Sequence, residues 1–187
     1  MHVASRYHLP SGNRLVRVYV GNPPGSSPIN FVAVAKNASP KSASDFRTFD
    51  GSSTQMYILC GEGKKCAIKE GAPSVERAAV LRREALELAL YTFSYVDGVD
   101  SVVTFFPPRQ GQKQQNALFF LKDDLDDELD QPLRETLPEQ LPPVPGKAPL
   151  TKVEQKTVDE LTTERVFRYA VQNAQGGQRV LVLAPAA

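Results

Sequence analysis

Residues 54–121 decide the fold: TQMYILC (54–60), GEGKK (61–65), CAIKEG (66–71), APSVERAAVLRREALELALYTFSYV (72–96), SVVTFFPP (101–108) and NALFFL (116–121). In order they predict strand, tight turn, strand, long helix, strand and strand. The helix is placed at 74–96. Ser74 suits its N-cap, Glu76 suits the positive end, and Gly98 suits a left-handed close. Val75, Ala78, Ala79, Ala85, Leu86, Ala89, Leu90, Phe93 and Val96 recur at helical spacing and form the stripe expected to face a sheet. Each larger member contributes about 1.5–3 kcal/mol when fully buried.

Arg82 falls inside that stripe. A guanidinium taken out of water needs a partner. It is therefore expected either to pair with an internal acid or snorkel to the surface, or to anchor the carboxylate or phosphate of a ligand. On the far side, Leu81, Leu88, Tyr91 and Tyr95 also stand at helical spacing. A helix that is apolar nearly all round is covered on both sides. The cover is expected from the terminal segments of this chain; otherwise helix 74–96 offers these residues to a protein partner or a second copy.

Cys60 and Cys66 flank the turn Gly-Glu-Gly-Lys-Lys, where a disulfide is geometrically reachable. A bridged turn is the usage of exported proteins. This points to the extracytoplasmic part of an exported or membrane-anchored protein whose targeting segment is missing, because MHVASRYHLPSGNRLV has no secretory apolar core. If the thiols stay reduced, the chain reads as cytoplasmic.

Working outward, Arg14–Val20 and Ile29–Lys36 alternate as strands and are expected to pair antiparallel, with 21–28 as the loop between them. Phe46–Phe49 leads toward the central hairpin. Beyond 101–106 and 117–122 comes an acid-rich, weakly helical stretch. Asp123, Asp124, Asp126, Asp127, Glu128 and Asp130 lack the glycine and the spaced glutamate of a calcium loop, so no metal is expected. Pro138, Pro142, Pro143, Pro145 and Pro149 mark a semi-rigid linker. A polar, helix-prone segment (151–163) and a hairpin (166–171 with 179–183) follow. The expected organisation is a core domain over 1–137, a linker over 138–150, and a segment over 151–187 that rejoins the sheet or forms a satellite. The fold class is α+β: a mostly antiparallel sheet, the helix across one face, and a C-terminal hairpin.

The chemistry classes are thinly supported. Over 187 residues the formal net charge is +1, which gives no warrant for nucleic acid as partner, and no apolar run reaches membrane-spanning length. Gly61–Lys65 resembles a phosphate loop at a glance, but Ile58 and Lys65 occupy positions that need glycine and serine or threonine. His2 and His8 both lie near the terminus, leaving a nucleophilic triad without a base. No catalytic residue and no cofactor are expected. The leading expectation is a non-catalytic binding or interaction domain. The alternatives are an anion-binding protein or enzyme using Arg82 in a helix–sheet pocket, and a cytosolic regulatory protein with reduced cysteines.

Overall fold

The computed structural model describes residues 3–23, 28–61, 66, 68, 70–108, 116–138 and 141–186. The turn expected at 61–65 falls outside them from Glu62 on, as do 24–27 of the first loop and 109–115 of the loop after β5. The elements are β1 (Arg17–Val20), β2 (Phe31–Ala35), β3 (Phe46–Asp50), β4 (Thr54–Cys60), α1 (Val75–Tyr95), β5 (Ser101–Phe105), β6 (Asn116–Leu121), α2 (Asp126–Leu129), α3 (Leu133–Thr136), α4 (Lys152–Thr162), β7 (Val166–Asn173) and β8 (Arg179–Pro185). This is an α+β fold: one 8-stranded sheet in the order β1-β4-β5-β6-β7-β8-β2-β3, with α1 packed against it. Among the described residues only the β4–β5 and β2–β8 pairs are parallel.

Strand alternation splits the apolar residues between two cores. Tyr57, Leu59, Val102, Leu118 and Phe120 face α1. Their neighbours Met56, Val103, Phe105, Ala117 and Phe119 point to the other side and meet Val32, Leu181 and Leu183. That second core is the inside of a curled sheet. At a strand spacing of about 4.8 Å, β6 and β3 would lie roughly 19 Å apart if the sheet were flat. The rings of Phe49 on β3 and Phe119 on β6 are 5.2 Å apart between centroids. The short link 51–53 then carries the chain from β3, at one end of the strand order, to β4 near the other. It passes so close to β2 that a Cβ on Gly51 would stand 2.1 Å from the Ile29 carbonyl oxygen, so only glycine fits there.

The pairing differs from expectation in two places. β1 and β2 are not partners: β1 pairs with β4, whereas β2 lies between β3 and β8. The apolar side of β2 is needed inside the curl, and Phe46–Asp50 is a full strand that takes its other edge. Cys66, Ile68 and Glu70, read as the returning arm of a hairpin, are not in a strand. Both edges of β4 are already occupied, by β1 and β5, so nothing is left for a returning arm to pair with.

Helix α1 begins as its sequence dictates. The Ser74 side chain accepts from the Arg77 amide at 3.1 Å, and Ser74→Ala is expected to destabilise the fold by about 1 kcal/mol in urea unfolding. The expected stripe, however, does not run its full length: Val75, Ala78 and Val96 are exposed. Between 83 and 90 every residue is buried, because the helix is covered on all sides. The sheet lies on one side, while the N-terminal segment through Tyr7, Leu9 and Leu15 and helix α4 through Val158 supply the rest of the cover. The C-terminal segment rejoins the sheet: β7 pairs with β6, and β8 with β7 and β2. In the Pro-rich stretch Pro142, Pro145 and Leu150 are buried.

Candidate functional site

Burying α1 all round takes its charged residues inside. The Arg83 side chain is 1% exposed. Its Nε donates to Glu154 Oε1 at 2.9 Å, and its Nη1 lies 3.1 Å from Glu87 Oε2. The same Nη1 donates to the Tyr7 hydroxyl, which in turn donates to Glu87 Oε2 at 2.6 Å. Arg6 completes the group by pairing with Glu87. Charges on three separate elements thus meet one another: the N-terminal segment, α1 and α4. Burial pushes the Tyr7 phenol far up from its ordinary value, so it stays a neutral donor.

Glu84 stands apart from this balance. It is 0% exposed, and neither carboxyl oxygen has a hydrogen-bond partner. Burial raises its pKa well above the ordinary carboxyl range, which favours the neutral acid. The cluster holds α1 in place.

The open site lies at the other end of α1. A pocket of about 370 Å³ is bounded by the first turns of the helix, the chain leaving β5, and the starts of β6 and β7. Leu81, Ala78, Phe106, Pro107 and Val166 line it with apolar surface. It sits at the carboxyl ends of the parallel pair β4 and β5, joined through α1, the position where such βαβ units bind ligands. Ile68 and Gly71, a few residues past Cys66, form part of its rim.

Arg77 and Arg82 both stand in the wall but in different electrostatic states. Arg82 pairs with Asp159 of α4 and donates to Thr163 Oγ1 at 3.3 Å, so it meets an internal acid. Arg77 is 9% exposed, and its Nη2 donates to the Glu70 carbonyl oxygen at 2.7 Å. Its Nε is buried with no acceptor, and among the described residues no carboxylate lies within salt-bridge distance of it. The buried Oδ1 of Asn116, also in the wall, has no donor.

The residues singled out from sequence are not gathered in one place. Arg82 and Leu81 line the pocket. Leu88 is 2% exposed and belongs to the core, so it offers no surface to a partner: the N-terminal segment and α4 already cover that side of the helix. Tyr91 is half-buried, with its ring 5.5 Å from that of Tyr95, which is 78% exposed at the end of the helix. Cys60 and Cys66 stand at disulfide distance, with Cα atoms 4.5 Å apart. Among the described residues no three His, Cys, Asp or Glu side chains are grouped as a metal site requires, and no helix is long and apolar enough to cross a membrane. Asp124 pairs with Arg165 at 3.8 Å. Arg77, Arg83, Glu84, Glu87 and Glu154 were not anticipated. For Arg83, Glu84 and Glu87 the signal was the helix's apolar character on both faces, which leaves no solvated side for charges in its middle.

Comparisons with protein families, with curated proteins and with solved structures found no match.

Proposed function

We propose that this chain is a non-catalytic binding domain that takes a small organic molecule into the pocket between α1 and the strand ends. The pocket itself carries the reading: about 370 Å³, walled by apolar side chains and polar groups in similar shares, among them Arg77 and Asn116. Preformed cavities of this size, lined by apolar surface and a few polar groups, are the usual form of a ligand site. The Cys60–Cys66 pair favours an oxidising, extracytoplasmic setting, to be checked by intact mass after alkylation with and without reduction.

The fluorescent apolar dye anilinonaphthalene sulfonate tests the pocket. Wild-type protein is expected to bind it saturably while folded. Ala78→Trp, which places an indole over the pocket from an exposed helical position, is expected to abolish binding at an unchanged melting temperature. Absence of dye binding by the folded wild type, or equal binding by the Trp variant, would sink the pocket reading.

A second reading keeps a protein partner. It rests on Tyr95, exposed beside Tyr91 and next to Val96 at the end of α1. Tyr95→Asp is expected to abolish association detected by analytical ultracentrifugation without lowering the melting temperature.

A further inference from the structure

Resting on the pocket reading, we infer that the ligand is an organic monocarboxylate with an apolar body, and that Arg77, rather than Arg82, receives its carboxylate. The charge balance of the wall sets the class. Arg82 is neutralised by Asp159, and the carboxylate of Glu70 is engaged by Ser11 at 2.7 Å. Arg77 is left as the one cation of the described wall with no carboxylate beside it, with its Nε buried and unmatched. A guanidinium withdrawn from water without an anion is costly, and a single carboxylate brought to its pocket side supplies the opposite charge. A second negative charge would meet Leu81, Phe106 and Val166, which suit an apolar body instead. The cavity's volume is near the lower end for small-molecule sites, which favours a compact chain or ring.

The backbone is shaped to hold Arg77 where this requires. Gly71 has φ +69°, and a Cβ there would lie 2.5 Å from Arg77 Nη2. The guanidinium occupies the space that any other residue's side chain would fill. Gly71 therefore acts as a positioning residue for the anchor.

Isothermal titration of the full chain with octanoate, octanol, suberate and inorganic phosphate decides the matter. Octanoate is expected to bind at least tenfold more tightly than the other three. Arg77→Met is expected to bring octanoate down to the level of octanol, and Gly71→Ala to weaken octanoate with little change for octanol. Arg82→Met is expected to preserve the preference for octanoate. If octanol or suberate equals octanoate, the monocarboxylate class is wrong although the pocket is a ligand site. Phosphate binding as tightly as octanoate means a bare anion site and overturns the apolar body. Loss of the octanoate preference in Arg82→Met but not in Arg77→Met overturns the anchor. If Arg77→Met does not fold, the wild-type ratios and Gly71→Ala still decide. Failure of the dye experiment removes the pocket reading itself, independently of these ratios.

Discussion

Replacing Arg83 by methionine is expected to lower the unfolding free energy by about 3–5 kcal/mol, read from urea denaturation at neutral pH. The side chain is lost from the middle of a dry cluster, and Glu87 and Glu154 then face each other and the Tyr7 hydroxyl without their shared cation. Arg6 continues to pair with Glu87, so Glu154 carries most of the exposed penalty. Adding Glu154→Gln to Arg83→Met is expected to recover a large part of the loss, because the harm lies in the stranded charge rather than in the missing contact. A single variant as stable as wild type would mean that water reaches this cluster and screens it.

Glu84 should behave in the opposite sense. Glu84→Met removes a buried carboxyl that has no hydrogen-bond partner and keeps most of its volume, so it is expected to stabilise the fold by about 1–3 kcal/mol at neutral pH. The gain should depend on pH with a definite sign. The folded-state pKa lies above the unfolded one. Below the unfolded value, about 4.3, the acid is protonated in both states and the proton makes no difference. As pH rises past that point the unfolded chain ionises while the folded chain holds its proton, so wild-type stability falls until the folded pKa is passed. The variant lacks this term. Unfolding curves for the pair at several pH values should show the variant's advantage smallest near pH 4 and widening upward. A constant difference would show that Glu84 is ionised and paired in the folded protein.

The helix, the strands after it and the C-terminal hairpin were legible because period and capping are local properties of sequence: Ser74 caps, and β5 and β6 read as buried runs. Strand partners were not. Whether β2 lies beside β1 or β8 depends on which apolar face must enter the curl, and Phe31↔Val180 joins residues far apart in the chain. At the site, Arg82 could be marked as an arginine in an apolar stripe. Arg77 sits in a first turn, where a charge ordinarily reads as solvated, and only the chain passing Gly71 encloses it. The cover that buries Arg83 comes from Tyr7 and Glu154, far from the helix in sequence, so no local reading of the helix contains it.

The place of β8 in the sheet also sets the order in which the protein can be completed during synthesis. The β2–β3 hairpin is joined to the remaining strands only through β8. Its β2 edge is made long before β8 and has no strand to pair with until β8 emerges. Helix α1 and its neighbouring strands can assemble before that, whereas the inside of the curl waits for β8. Non-local pairing of this kind is slow and leaves a strand edge open to other chains in the interval. The nascent chain is therefore most vulnerable to misassociation through the β2–β3 hairpin, and β8 is what ends that period.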